Sequence, residues 1–277
     1  MEGLTSRLPI TALVTGATDG IGATVAEMLL RWGARVIVHG RSPERVTPTV
    51  ASLARLAADE RAVDGVVADF GRLSAVRAVA VSLAERGDFI DVLINNAGIV
   101  ANSPSLSADG FELTMAVNQL APFALTHELI RRSPRLRRIV NVSSHLYVRG
   151  LIDLASFARV GEPYDARFAY ASSKLANILS TVELAKLLRE RSVTVCAVHP
   201  GVVSTKLLAS GFGVQGRDSL EAAASNVVEV ALGGSVKSGC YFEGRIVCPL
   251  EGAGADSSLA SAVYDLSCRL TGTASLR

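Results

Sequence analysis

Short runs rich in β-branched residues alternate with longer amphipathic stretches along most of the chain, and this alternation predicts its elements. Strands are expected over residues 10–15, 35–39, 65–68, 91–94, 138–142, 193–198 and 239–242. Helices are expected over residues 20–32, 43–58, 73–85, 118–132, 168–191 and 219–232. Pro43 and Pro122 fall in the first turns of their helices, where proline is tolerated. Repeated strand–helix–strand units predict a doubly wound α/β fold, a parallel β-sheet with helices on both faces. No linker divides the chain and no repeat of solenoid length is present, so residues 1–277 are read as a single domain.

Two segments break the rhythm: residues 145–167, and residues 206–218, which are rich in Gly and Leu. Loops of that length in a compact domain are usually functional or disordered. Both leave the predicted sheet at the carboxyl ends of strands, where ligands bind in folds of this kind. They are expected to form a substrate pocket and its lid. Leu146, Leu151, Ile152, Leu154, Phe157, Leu207, Leu208 and Phe212 make these segments apolar, which suits a hydrophobic substrate or simply packs the lid.

Composition narrows the classes. The chain is 49% hydrophobic and 19% charged, enough to bury a large core. A net charge of +2 and an aromatic content of 5% argue against nucleic acid as a partner. No apolar run approaches the ~20 residues that span a bilayer, and residues 1–9 lack the apolar core of a signal peptide. A cytoplasmic protein with no membrane anchor is expected. Cys196, Cys240, Cys248 and Cys268 lack metal-type spacing and are read as reduced thiols, Cys196 in a buried strand. His39, His127, His145 and His199 form no cluster, so no metal is expected.

The chemistry begins at the turn Thr15-Gly16-Ala17-Thr18-Asp19-Gly20-Ile21-Gly22, between the first strand and first helix. Glycines at positions 16, 20 and 22 let a backbone approach a diphosphate, and the helix N-terminus attracts its charge. The alternative is an ordinary tight turn. The second strand ends Val38-His39-Gly40-Arg41-Ser42, with no carboxylate for ribose hydroxyls and with Arg41 and Ser42 suited to a 2′-phosphate. NADP(H) is therefore favoured over NAD(H), unless Arg41 is only a solvated surface residue. Asp69, with Phe70 beside it, follows the third strand and either accepts a hydrogen bond from adenine or caps a turn. Asn95-Asn96-Ala97-Gly98 ends the fourth strand; its small residues suit packing against a ribose, while Asn95 can instead bond a neighbouring strand.

Tyr170 and Lys174 lie four residues apart on one helix face. There an ammonium can lower a phenol from its usual pKa of ~10 and yield a proton donor and acceptor usable near neutral pH. Ser144, at the end of the fifth strand, is placed to hydrogen-bond a substrate oxygen, and Asn118, opening a helix, to hold a water linked to Lys174. The bland readings are a surface helical pair, turn residues at Ser143 and Ser144, and a helix cap at Asn118. Tyr147 and Tyr164 lack a lysine four residues on and are read as pocket lining. His145 either touches substrate or is a plain loop histidine. After the sixth strand, His199-Pro200-Gly201-Val202-Val203-Ser204-Thr205 bends over the expected nicotinamide position, where Val203 and Thr205 can reach a carboxamide; the alternative is a simple strand-to-helix turn.

Taken in this order, Gly16/Gly20/Gly22, Asn95 to Gly98, Asn118, Ser144, Tyr170/Lys174 and Pro200-Gly201 resemble the short-chain dehydrogenases/reductases, a Rossmann-fold family of NAD(P)-dependent oxidoreductases. The likeness covers nearly the whole chain and implies the catalytic tetrad Asn118, Ser144, Tyr170 and Lys174. Asp109-Gly110-Phe111-Glu112-Leu113, Ser172-Ser173-Lys174-Leu175-Ala176-Asn177, Val198-His199-Pro200-Gly201-Val202-Val203 and the stretch 266–272 resemble the retinol dehydrogenase and WW-domain oxidoreductase branch. So does the 26-position step from Ser144 to Tyr170, since that branch carries an insertion there. The resemblance implies hydride transfer between a carbonyl and an alcohol on a small molecule. A C=C reductase or epimerase on the same scaffold, or an NADPH-sensing binding protein, are the alternatives. It also implies homodimers or homotetramers formed through the helices over 118–132 and 168–191, with a monomer, as in some members of the family, as the alternative.

Overall fold

The computed structural model describes residues 10–155, 157–160 and 163–277; the reading of residues 1–9 lies outside them. Eight strands form one sheet: β1 (Thr11–Val14), β2 (Arg35–Gly40), β3 (Val63–Val67), β4 (Val92–Asn95), β5 (Arg138–Val142), β6 (Thr194–His199), β7 (Tyr241–Glu243) and β8 (Ile246–Cys248). Their order is β3-β2-β1-β4-β5-β6-β7-β8, all parallel except the terminal β7–β8 pair. The helices are α1 (Gly20–Arg31), α2 (Pro43–Ala54), α3 (Leu73–Glu85), α4 (Leu113–Met115), α5 (Ala121–Arg132), α6 (Ala166–Leu187), α7 (Lys206–Phe212), α8 (Leu220–Leu232) and α9 (Ser257–Thr271).

Side chains on a strand alternate between its faces, and both faces here are buried. Leu13, Ile37, Leu93, Ile139 and Val195 meet α3, α5, α6 and α9 in one core. Val14, Val36, Val38, Ile94, Val140, Cys196 and Val198 meet α1, α2 and α8 in the other. This is the doubly wound sheet expected from the strand–helix alternation. Neighbouring β1 and β4 send their chains to helices on opposite faces, which opens a crevice at their carboxyl ends.

Several boundaries differ from expectation. The helix expected to open at Asn118 starts earlier. Glu112 accepts hydrogen bonds from the amides of Thr114 (2.9 Å) and Met115 (2.6 Å), and α4 runs into α5 through a π-helical turn, Ala116–Leu120. Asn118 thus lies inside a helical run rather than capping one. The segment 206–218 is not all loop, because Thr205 accepts from Leu208 N and caps α7. The helix expected over 168–191 ends at Leu187, followed by a 3-10 turn, Arg189–Arg191. Both β8 and α9 went unforeseen.

α9 covers parts of α5 and α6. Tyr264 packs edge-on against Phe123 (5.5 Å) and shares a hydrogen bond with His127 Nε2 (3.1 Å), and Arg277 pairs with Glu183 (2.8 Å). The helices that the resemblance assigns to subunit contacts are, on this side, occupied by the chain's own C-terminal helix. No helix among the described residues is long and apolar enough to cross a membrane.

Arg138 ties β5 to the far end of α8. Its guanidinium is buried and donates to the carbonyls of Val230 (2.8 Å) and Gly233 (3.0 Å), satisfying acceptors at the negative end of the helix. We predict that Arg138→Met lowers unfolding stability by about 2–3 kcal/mol, measured by urea denaturation; a change near zero would show that the capping contact carries no weight.

Candidate active site

The glycine turn is held from three sides. Gly16 and Gly20 have φ of +63° and +55°, a conformation favouring glycine. A Cβ on Gly16 would lie 2.8 Å from Ala97 Cα, and one on Gly22 would lie 2.4 Å from both Gly16 O and Asn96 Nδ2. Thr15 Oγ1 accepts from the amides of Asn96 (2.9 Å) and Ala97 (3.0 Å). Asn96 Nδ2 donates back to the carbonyls of Thr15 (2.9 Å) and Gly16 (3.1 Å). From the other side, His39 Nδ1 accepts from Gly16 N (3.2 Å) while its Nε2 donates to Ala68 O (3.0 Å). Thr18 packs over Gly40, where a Cβ would meet Thr18 Cγ2 at 2.5 Å. Ile21 is half-buried behind the turn and packs on the α1 side of the sheet. Thr15, His39 and Gly40 were not singled out from the sequence, because their partners lie on other strands.

The remaining residues expected at a dinucleotide divide. Arg41 is exposed at the end of β2 and has no ion-pair partner among the described residues; Ser42 directly precedes α2, and its side chain helps hold the Glu44 carboxyl below its ordinary pKa. Asp69 Oδ1 accepts from Gly71 N (2.9 Å), which realises its turn reading. The Phe70 side chain is buried and stacked on His39 at 4.2 Å, so it supports the turn from within the core. Asn95 donates to Asn141 on β5 (2.9 Å) and to Thr126 (3.2 Å), which is the structural alternative. Gly98 lies at the junction with the catalytic candidates: a Cβ there would be 3.4 Å from Asn118 Oδ1 and 3.6 Å from Lys174 Nζ.

Asn118, Ser144, Tyr170 and Lys174 are buried and close together. Asn118 clips the chain after β4: Oδ1 accepts from Ile99 N (2.8 Å), and Nδ2 donates to Ile99 O (3.0 Å) and Ser173 Oγ (2.9 Å). Ser144 accepts from Leu146 N (3.2 Å), capping a 3-10 turn, His145–Arg149, and its side chain lies close enough to the Tyr170 hydroxyl to favour the ionised phenol. Lys174 Nζ donates to Val142 O (2.9 Å) and lies 5.5 Å from the centroid of the Tyr170 ring. The expected lowering of the phenol pKa is not what this arrangement gives. Burial pushes Tyr170 up to about 12, with the nearby Ser144 side chain opposing, and burial brings Lys174 down to about 8. Desolvation disfavours both charged forms and outweighs an ammonium whose hydrogen bond goes to a carbonyl.

After β6, Gly201 adopts φ +127°, and a Cβ there would lie 2.8 Å from Asp218 Oδ2. That carboxylate accepts from Val202 N (2.6 Å), and Asn226 Nδ2 donates to Pro200 O (2.9 Å). Val203 is buried, its carbonyl accepting from Thr205 N (2.8 Å), and Thr205 Cγ2 comes within 3.5 Å of a Cβ built on Gly20. α7 then lies across the site. Phe212 meets the Tyr170 ring edge-on at 5.5 Å, Arg167 donates to Phe212 O (3.1 Å), and Asn102 donates to Ser210 O (3.0 Å).

Two pocket-lining expectations need correction. Tyr147 is buried in the core, packed on Tyr241 at 5.1 Å and accepting from Glu251 N (3.0 Å). Tyr164 donates to Glu112 Oε1 (2.8 Å) and fastens the insertion to α4. His145 is a paired loop histidine, 2.6 Å from Glu243.

The model of the family described as short chain dehydrogenase matches residues 10–212. The chain belongs to that family. A Streptomyces sp. (strain C5) protein with the provisional name daunorubicin C-13 ketoreductase DnrU is 36% identical over 95% of this chain and 92% of its own length. Human retinol dehydrogenase 14 is 41% identical over 71% of this chain and 62% of its own length, so the match spans less than two thirds of that relative. Such relatives place the short-chain dehydrogenase on the retinol-dehydrogenase-like branch. A short chain dehydrogenase from Burkholderia cenocepacia J2315, solved in complex with NADP, superposes with a TM-score of 0.68. It shares 31% identity, over 86% of this chain and 97% of that one.

His39 also makes the glycine turn pH-sensitive. Burial lowers its pKa to about 4, as it does that of His127. Below pH ~6.5 the unfolded chain takes up protons that these folded sites refuse until about pH 4, so stability falls as pH drops through this window. We predict that urea-unfolding stability decreases between pH 7.5 and 4.5, and that His39→Gln removes roughly 2–3 kcal/mol of that decrease. An unchanged slope in the variant would rule out His39 as a source.

Proposed function

We propose that this short-chain dehydrogenase is an NADP(H)-dependent oxidoreductase that interconverts a carbonyl and an alcohol on a small hydrophobic molecule. The observation that carries the reading is the buried cluster of Asn118, Ser144, Tyr170 and Lys174, with Lys174 Nζ 5.5 Å from the Tyr170 ring centroid, next to the glycine turn. The positive-φ glycines, the space that a Cβ on Gly16 or Gly22 would fill, and the N-terminus of α1 suit a dinucleotide diphosphate. The residues proposed to hold the dinucleotide are Gly16, Thr18, Gly20, Ile21, Gly22, Arg41, Ser42, Asn96, Ala97, Gly98, Tyr170, Lys174, Pro200, Gly201, Val203 and Thr205. When bound, it supplies hydride to the reacting carbon or accepts hydride from it.

The chain's own residues handle the proton. In reduction Tyr170 gives its hydroxyl proton to the substrate oxygen as negative charge develops there; in oxidation it removes the hydroxyl proton. Ser144 hydrogen-bonds the same oxygen. Lys174 stabilises the tyrosinate electrostatically, and Asn118 holds the chain after β4 against α6. Phe212 of α7 gives the site an apolar wall against the Tyr170 ring. The ketoreductase name of the Streptomyces relative supports a ketone as substrate. The absence of a carboxylate at the end of β2, an Arg41 without an ion-pair partner among the described residues, and the NADP complex of the Burkholderia relative support the phosphorylated cofactor.

Two measurements test this. Tyr170→Phe is expected to abolish turnover on ketones and alcohols while binding NADPH normally; full activity in that variant would sink the assignment. Fluorescence titration is expected to show tighter binding of NADPH than NADH. Arg41→Ala should weaken NADPH alone by about 10-fold or more, the cost of one charge-assisted bond to phosphate. Equal affinities would make Arg41 a surface residue.

A further inference from the structure

Asp19 puts a carboxylate where the proposed reading puts a diphosphate. Its Oδ1 accepts from Gly20 N at 2.8 Å and so takes the first amide of α1, a donor that an anion at this helix end would use. Its Oδ2 lies 2.6 Å from Nζ of Lys206, the first residue of α7, 187 positions further along the chain. That hydrogen bond, more than the Gly20 contact or the nearby Arg45, holds the Asp19 carboxyl below its ordinary pKa. Both side chains are solvent-exposed, Lys206 at 81% and Asp19 at 47%. An ion pair so exposed adds little to folding stability.

Its position is more informative than its strength. α7 reaches from the glycine turn to the tyrosine. Lys206 and Thr205 stand at the first end, against Asp19 and Gly20. Phe212 stands at the other, against Tyr170. Between them Gly211 packs so closely on Val100 that a Cβ would meet Val100 Cγ2 at 2.7 Å. A cation thus sits at the dinucleotide end of the same short helix that covers the reacting end.

We propose that Lys206 is a dinucleotide-positioning residue. Asp19 holds its ammonium beside the glycine turn, and the diphosphate of a bound dinucleotide competes for it. Filling the crevice and seating α7 over Tyr170 are then coupled through one side chain. The proposal rests on the dinucleotide reading above and adds a residue, and a coupling, to it.

The two partners of the pair have opposite expected effects on binding. Removing Lys206 deletes a cation that the diphosphate uses. Removing the Asp19 charge deletes a like charge and frees that cation. NADPH is titrated by fluorescence into wild type, Lys206→Met and Asp19→Asn, with thermal unfolding to confirm that each variant is folded. Lys206→Met should raise Kd about 5- to 20-fold, and Asp19→Asn should lower it about 3- to 10-fold, as expected for one partly screened charge contact. Hydrogen exchange in residues 206–212 should slow on NADPH addition in wild type and much less in Lys206→Met. A pair acting only as a strut is broken equally by either substitution. Shifts of the same sign, or no shifts, with wild type binding normally, would overturn the proposal alone. Wild type that binds neither NADPH nor NADH would overturn the dinucleotide reading and this proposal with it.

Discussion

Burial of Lys174 is the constraint on which the candidate active site depends. An ammonium taken out of water is costly unless its donors are met, and among the described residues the Val142 carbonyl meets one of the three at 2.9 Å. That contact requires α6 to lie in one register against β5, and a series of buried polar contacts enforces it. Ser143 donates to Lys174 O (3.3 Å), Asn141 to Thr181 (2.9 Å), Asn118 to Ser173 (2.9 Å), and Asn177 to Asn118 O (2.8 Å). Each would leave an unpaired buried group if the helix slipped. Tyr170, one turn before Lys174, is located by the same contacts.

The glycine turn obeys a similar rule with different means. There the chain must come close to itself and to β4, so side chains are removed where the approach is tightest, at Gly16 and Gly22. Thr15, Asn96 and His39 supply the hydrogen bonds that a bare backbone turn would lack. The π-helical turn around Asn118 joins the two regions. One side chain bonds Ile99 in the segment after β4 and Ser173 on α6.

Features encoded in local pattern were legible in the sequence. The alternating faces of Leu13, Val14, Ile37 and Val38, the glycine spacing, and the Tyr170–Lys174 step all depend on residues near one another in the chain. What was missed depends on partners far away. His39 looks like any strand residue until β2 lies beside β1 and its ring meets Gly16 N. Tyr147 looks like a loop aromatic until Tyr241 and the Glu251 amide close over it. The sign of the Tyr170 shift was misjudged for the same reason: helix spacing reports the nearby lysine but not the depth of burial. α9 carries a clear apolar stripe of Ala260, Val263, Tyr264 and Cys268, but it lies beyond the repeating strand–helix units that guided the reading.

Burial also links the lid to the chemistry. Desolvation is the largest cause of the raised Tyr170 pKa, and Phe212 of α7 supplies one wall of that burial. The Phe212 contact therefore adds to the burial that disfavours the ionised phenol. A lid that opened without moving anything else would wet the phenol and let its pKa fall toward the ordinary tyrosine value. Where one seven-residue helix rests therefore bears both on access to the candidate site and on the burial of Tyr170.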